Sequence, residues 1–120
     1  MASPTIIDAG LAELVDTDHR ITDEVWLEPT PGHTPGHVSV RIESDGQRAV
    51  ITGDLMHHPI QCSEPDRTVN FDTDRDLARS TRRNLACCAS DRALVLGTYF
   101  AHPTAGRVVP AGEVWRFEIL

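Results

Sequence analysis

Two histidines lie in a short loop rich in proline and glycine, and an aspartate closes the apolar run that follows. The loop reads Thr30-Pro31-Gly32-His33-Thr34-Pro35-Gly36-His37, and Gly53-Asp54 ends the later run. Rigid loops at strand ends can hold imidazole and carboxylate groups in place, as a metal site requires. His33 is the strongest ligand candidate because the surrounding prolines and glycines restrict its backbone. The alternative is a surface histidine that caps a turn.

Other candidate site residues follow the remaining strand-like segments. Asp54 needs a partner at the end of a buried strand, and a metal ion, a helix N-terminus or an arginine could each serve. His102 follows another apolar run, and the sequence favours neither of its two possible roles, metal ligand or turn residue. His37 is predicted to orient the loop by hydrogen bonding. His57 and His58 point apart if extended, so at most one faces the site, and we favour a pocket-lining role for them.

Composition excludes several classes of function. The 120 residues carry a formal net charge of -7, and all 11 basic residues are arginine. An acidic chain is not expected to bind nucleic acid or an anionic membrane surface. The N-terminus lacks the features of a secretion signal, and no stretch approaches the ~20 apolar residues of a membrane span. Cys62, Cys87 and Cys88 predict free thiols in a reducing cytoplasm rather than disulfides.

Strand and turn signals place the candidate residues at the ends of a sheet. Residues 38–43 alternate apolar and polar side chains, Asp45-Gly46 is typical of a hairpin turn, and residues 48–52 form the partner strand. Further strands are predicted at 24–28, 92–97 and 113–119, the last pairing with 108–109.

One main helix is predicted at 74–89, with Thr73 or Asp72 as its cap. One or two helical turns are expected at 9–15, and a long loop at 55–69. The resulting order of elements indicates an α/β or α+β fold. The main helix is predicted to bury Leu77, Thr81, Leu85 and Cys88 and to expose Arg75, Arg79, Arg82 and Arg83 to solvent.

Three motifs stand out: the 30–37 loop, the run Gly53-Asp54-Leu55-Met56-His57, and residues 94–103. Together they resemble motifs of the metallo-β-lactamase superfamily, in particular of its lactonase, glyoxalase II and organophosphate-hydrolase-like branches. The resemblance implies that residues 1–120 are one domain, the C-terminal half of an αββα sandwich, with a mostly antiparallel sheet and one main helix. It further implies that His33 binds a first metal, zinc or another divalent ion, and that Asp54 bridges two metals. Small esters, lactones, thioesters and phosphotriesters would be the substrates.

The chain departs from the family pattern in two places. The H-x-H-x-D-H motif of the family's N-terminal half has no counterpart here, and Tyr99 replaces the histidine that follows Gly-Thr in the family. His102, three residues further on, is the candidate substitute, while Tyr99 is assigned to the pocket. His33 and Asp54 alone fall short of the three protein ligands that zinc sites use. The metal could therefore be absent from this chain.

These departures predict a truncated or split hydrolase that is not competent alone. Half of a sandwich leaves an apolar sheet face uncovered, so the expected partner is a second copy or a complementary N-terminal half. One alternative is a non-catalytic binding or dimerisation module. Another is a piece of a longer reading frame in which Met1 is internal.

Overall fold

Six strands form a single sheet whose spatial order follows the order of the chain. The computed structural model describes residues 4–64, 72–89 and 92–119, with the backbone alone for 86–89. Every neighbouring pair of strands is antiparallel except β3 and β4, which are parallel. The predicted α+β class and mostly antiparallel sheet are therefore confirmed. The strands are β1 (Val25–Pro29), β2 (Val38–Ser44), β3 (Gln47–Ile51), β4 (Leu94–Leu96), β5 (Ala105–Ala111) and β6 (Val114–Ile119).

The helices are short apart from the one that connects the two parallel strands. They are α1 (Pro4–Asp8), a 3-10 helix (Gly53–Leu55), α2 (Ile60–Ser63) and α3 (Arg75–Ala89). Parallel neighbours need a long crossover connection, and the chain segment that contains α3 provides it. In the described part of the chain, none of these helices is long and apolar enough to cross a membrane.

Two predictions of local structure need correction. The helical turns expected at 9–15 are wrong, because α1 begins at Pro4 and ends at Asp8, and Gly10 then takes a φ of +70°. Proline favours the first turn of a helix and a left-handed glycine ends one, which explains the shift. The loop expected at 55–69 contains α2, and its last residues, 65–69, lie outside the described part of the chain.

The main helix α3 is confirmed, but its buried face differs from the prediction. Leu77 is 40% exposed, whereas Arg82 is 0% exposed and was expected on the solvated side. The N-cap is Asp74, whose Oδ1 accepts the Leu77 backbone N–H at 3.0 Å. Helical periodicity predicts which residues share a face, but the packing around a helix decides which face is buried. The buried side chains of α3 are Ala78, Thr81, Arg82 and Leu85, and Cys88 has no described side chain.

The hydrophobic core lies between the sheet and the helices. Val50, Val95 and Val108 project from β3, β4 and β5 onto residues of α2, α3 and the loops. Cys62 of α2 is a free thiol there, and burial raises the pKa of this thiol to about 11, so it is unreactive. The free-thiol prediction is thus confirmed for Cys62, and the side chains of Cys87 and Cys88 lie outside the described structure.

The opposite face of the sheet, which we call the open face, carries two rows of apolar side chains. Strand register aligns four residues in each row across β1 to β4, and all eight are only half-buried. Helices α2 and α3 and the 3-10 helix pack on the other side, where Ser39 of β2 is fully buried. One row is Val25, Ile42, Ala49 and Leu94, and the other is Leu27, Val40, Ile51 and Leu96.

Candidate metal centre

The predicted site residues are brought to one end of the sheet by three connections. The 30–37 loop joins β1 to β2, Asp54 follows β3, and Tyr99 follows β4. Because β3 and β4 are parallel, their C-terminal ends lie at the same edge. The antiparallel β1–β2 pair places its connecting loop at that edge as well.

Two imidazoles and one carboxylate converge at this edge. His33, Asp54 and His57 each offer one ligand atom, and these atoms lie within 4.8 Å of one another. Nε2 of His33 is 3.3 Å from Oδ2 of Asp54. Two zinc ligands with bond lengths of 2.0–2.1 Å lie about 3.3–3.4 Å apart in a tetrahedral site. The spacing of this first pair therefore fits a bound zinc ion without rearrangement.

His57 completes the cluster. Its Nδ1 is buried and has no hydrogen-bond partner among the described residues. Its backbone N–H donates to Oε1 of the buried Gln61 at 2.6 Å, which anchors the residue to α2. Buried polar atoms are nearly always satisfied, and a bound cation is one partner that would satisfy an imidazole nitrogen of this kind. Burial, followed by the nearby His33, lowers the pKa of His57, which favours the neutral, metal-binding form.

The loop that carries His33 is docked closely onto α3. The Thr81 hydroxyl donates to the Pro31 carbonyl at 2.7 Å, and the Asp74 backbone N–H donates to the Gly32 carbonyl at 2.8 Å. Gly32 has a φ of +138°, and a Cβ at this position would lie 2.4 Å from the Ala78 Cα. Only glycine permits this approach, so Gly32 sets the distance between the ligand loop and the helix.

Asp72 is a site residue that sequence reasoning missed. Its Oδ1 lies 3.0 Å from Nδ1 of His33, on the side of the ring opposite Asp54. From the sequence, Asp72 was predicted only as a possible helix cap, and Asp74 fills that role. No local signal could have joined two residues 39 positions apart.

The comparisons with known proteins identify the family. A family model described as the metallo-beta-lactamase superfamily matches residues 3–99. The chain belongs to this superfamily. The family resemblance of the sequence motifs is thereby confirmed. The comparison with curated proteins found no match.

Solved structures share the fold of this chain. AidC, a dizinc quorum-quenching lactonase in complex with a product, superposes with a TM-score of 0.78 at 23% identity, over 88% of this chain and 36% of AidC. The hydrolase AbOPH gives 0.74 at 24% identity, over 82% and 35%. A probable metal-dependent hydrolase from Staphylococcus aureus gives 0.77 at 19% identity, over 93% and 40%. This chain therefore spans little more than a third of the length of these neighbours.

In this member of the superfamily, His37 links the 30–37 loop to Asp54 through hydrogen bonds. Its Nε2 accepts the Asp54 backbone N–H at 2.8 Å, so its hydrogen lies on Nδ1, which faces the Thr30 carbonyl at 3.1 Å and hydroxyl at 2.9 Å. Burial lowers the pKa of His37, which favours this neutral form. The Thr30 hydroxyl in turn lies 3.0 Å from the Ser39 hydroxyl, which donates to the Thr52 carbonyl. This buried polar chain gives the Ser39 hydroxyl its hydrogen-bond partners on the helix-facing side of the sheet, and the supporting role of His37 stays a prediction.

Tyr99 contacts the cluster from the solvent side. Its ring stacks on His57 with 5.3 Å between centroids and 18° between planes. A hydrogen bond from its hydroxyl to Asp54 raises the pKa of Tyr99. The side chain is 58% exposed, so it forms the outer wall of the site.

Two of the predicted histidines lie apart from the cluster. His58 is exposed, and its Nδ1 accepts the Ile60 backbone N–H at 3.0 Å, at the start of α2. His102 is exposed and is not a member of the His33–Asp54–His57 group found among the described residues.

Proposed function

We propose that this chain supplies one half of a metal-dependent hydrolase and holds a divalent ion through His33, Asp54 and His57. Zinc is the first candidate, because two nitrogens and one oxygen are typical zinc donors and AidC is a dizinc lactonase. The convergence of these three side chains within 4.8 Å carries the proposal. Small esters, lactones or phosphotriesters are the proposed substrates, since the structural neighbours include a lactonase and hydrolases.

The third ligand changes the expectation drawn from the sequence. Catalytic zinc sites use three protein ligands and leave one position open, and His57 brings the number of candidate ligands to three. A divalent ion there would polarise a substrate oxygen and lower the pKa of water. The chain's own residues hold the ion and close one wall of the site with Tyr99. The cytoplasm is the proposed compartment, on the ground that the Cys62 thiol is free.

The open face supports the proposal that another element covers this sheet. Eight half-buried apolar side chains on four strands form a contiguous surface of the kind that isolated proteins rarely expose. We propose that a second sheet covers it, supplied by a second copy of this chain or by a separate N-terminal half. Hydrolysis is expected only from the covered form, because closing a site excludes water and completes its walls.

Light scattering combined with a hydrolysis assay tests this proposal. We expect the zinc-loaded chain to have a mass above the 13.2 kDa of one copy, or to gain mass when the N-terminal half is added. Lactone hydrolysis should follow the heavier species. Val40→Lys, in the centre of the open face, should abolish both, whereas Leu14→Lys, at a position that is 93% exposed and outside the sheet, should change neither. Full hydrolysis by a monomer would contradict the proposal.

A non-catalytic binding or dimerisation module is the second candidate, and the position of Tyr99 favours it. The Tyr99 hydroxyl donates a hydrogen bond to Asp54, and the Tyr99 ring stacks on His57. Two of the three candidate metal ligands are therefore already in contact with Tyr99. In this second candidate the fold is kept and the chain is folded without metal.

Replacement of Tyr99 by histidine separates the two candidates. For the metal-binding chain, we expect Tyr99→His to raise zinc affinity by about 10-fold or more, or roughly 1.4 kcal/mol, because it adds an imidazole beside His57 and Asp54. Tyr99→Phe is the matched control, since it frees Asp54 without adding a ligand. Titration against a chromophoric chelator measures both variants. Absence of zinc binding in the unsubstituted chain and in both variants would favour the binding module.

A further inference from the structure

The His33 ring lies between two carboxylates. Its Nδ1 is 3.0 Å from Oδ1 of Asp72, and its Nε2 is 3.3 Å from Oδ2 of Asp54. A neutral imidazole has one N–H, so one nitrogen donates and the other presents a lone pair. His33 can offer Nε2 to a cation beside Asp54 only when its hydrogen lies on Nδ1. The tautomer of this single ring therefore decides whether the cluster can bind a metal.

Asp72 is a buried charge with a buried counter-charge. The side chains of Asp72 and Arg82 are both 0% exposed, and Arg82 Nη1 lies 3.6 Å from Oδ2 of Asp72. That oxygen has no hydrogen-bond partner among the described residues. Removing two charges from water costs several kcal/mol for each ion, and replacing such a pair by apolar residues is often stabilising. A contribution to folding stability therefore does not explain why this buried Asp72–Arg82 pair is present.

The same pair is connected to both sides of the candidate metal centre. Arg82 donates to the carbonyl of Leu55, the residue after Asp54, at 3.3 Å. The backbone N–H of Thr73, the residue after Asp72, donates to the carbonyl of His33 at 3.0 Å. Asp72 therefore approaches the His33 ring from a segment that also holds the His33 backbone, which limits both the position and the rotation of the ring.

We propose that Asp72 is a positioning residue that holds His33 in the Nδ1–H form and aims Nε2 at the metal, and that Arg82 holds the Asp72 side chain in place from its other oxygen. This inference rests on the proposed function, because it names what prepares one ligand of that site. Carboxylates that accept the second N–H of a metal-binding histidine are a general device, and their loss typically lowers metal affinity by about 10–100-fold.

The test is Asp72→Asn in the full chain, followed by two measurements. Nitrogen-15 NMR of the metal-free chain at about pH 8, where an ordinary imidazole is neutral, reports the His33 tautomer. Chelator competition reports the zinc affinity. An asparagine can present an N–H to Nδ1, so we expect the hydrogen of His33 to move toward Nε2. Zinc affinity should fall by about 10–100-fold.

Two further variants guard against a folding defect. Asp72→Asn removes the carboxylate beside the buried Arg82, so the double variant Asp72→Asn/Arg82→Met removes both charges and should fold while binding zinc as weakly as the single variant. Glu28→Gln is the control, because it also removes a carboxylate paired with an arginine, Arg41 at 2.5 Å, and neither residue belongs to the His33–Asp54–His57 group. It should leave the tautomer and the zinc affinity unchanged.

The outcomes separate this inference from the proposed function. If the folded Asp72 variants keep the Nδ1–H form and a zinc affinity within about two-fold of the unsubstituted chain, Asp72 is a structural residue only and the inference is wrong. If the unsubstituted chain binds no zinc, the proposed function is wrong. In that case, comparing the His33 tautomer in the metal-free unsubstituted chain and in Asp72→Asn still tests whether Asp72 positions the ring.

Discussion

Zinc affinity is expected to fall by more than about 100-fold when His33 is replaced by alanine, since the loss of a mere supporting partner already costs about 10–100-fold. His33 provides the nitrogen that lies 3.3 Å from Asp54, the spacing that two ligands of one ion require. Its removal leaves two candidate ligands, fewer than a zinc site uses. Elemental analysis of the purified chain and titration against a chelator measure the effect.

The identity of the third ligand is tested by a matched pair of histidines. His57→Ala should reduce zinc affinity to a similar extent, because His57 carries the buried orphaned nitrogen. His102→Ala should leave it unchanged, because His102 is exposed and outside the cluster. His58→Ala controls for changes in the loop, since its ring accepts a backbone N–H at the start of α2. Loss of zinc in His102→Ala but not in His57→Ala would refute the proposed ligand set.

The second large effect is expected from a glycine rather than from a ligand. Gly32→Ala should lower the free energy of unfolding by roughly 2–6 kcal/mol, the sum of backbone strain at a positive φ and overpacking. The added methyl would lie 2.4 Å from both the Cα and the backbone N of Ala78, and the helix backbone cannot yield as a flexible side chain can. Against a total stability of about 5–15 kcal/mol, this change could unfold the chain.

Gly36→Ala provides the control within the same loop. A methyl group added at Gly36 would meet no atom within 4 Å, and the backbone there has no positive φ, so we expect a change within about 0.5 kcal/mol. Urea unfolding followed by tryptophan fluorescence measures both variants, with Trp26 and Trp115 as probes. Equal destabilisation by the two substitutions would show that the close packing of the loop against α3 does not hold in solution.

Local sequence determined most of the elements and their order. The hairpin of β2 and β3 was predicted from alternating apolar and polar side chains on either side of Asp45-Gly46. Helix α3 was predicted from apolar residues at helical spacing on one face and arginines on the other. The ligand types at strand ends were also visible, because the 30–37 loop and Gly53-Asp54 each follow a recognisable strand. The prediction of a helix at 9–15 was wrong because it followed a weak apolar pattern. Pro4 and Gly10, which are typical of a helix start and a helix end, mark the true position of α1.

What the sequence could not decide is which residues meet. His33, Asp72 and Arg82 are brought together only when α3 crosses from β3 to β4 and packs on the ligand loop. Whether His57 or His102 lies near His33 depends on the path of the chain after two different strands. The buried position of Ser39 on β2 likewise depends on hydrogen-bond partners that lie far along the chain. Periodicity is a property of consecutive residues, whereas a metal site and the burial of a charge depend on contacts between distant ones. The sequence by itself therefore determined the family, the strands and the types of candidate ligand. The tertiary structure alone decided which candidate residues meet, how Asp72 and Arg82 pair, and which face of the sheet is left open.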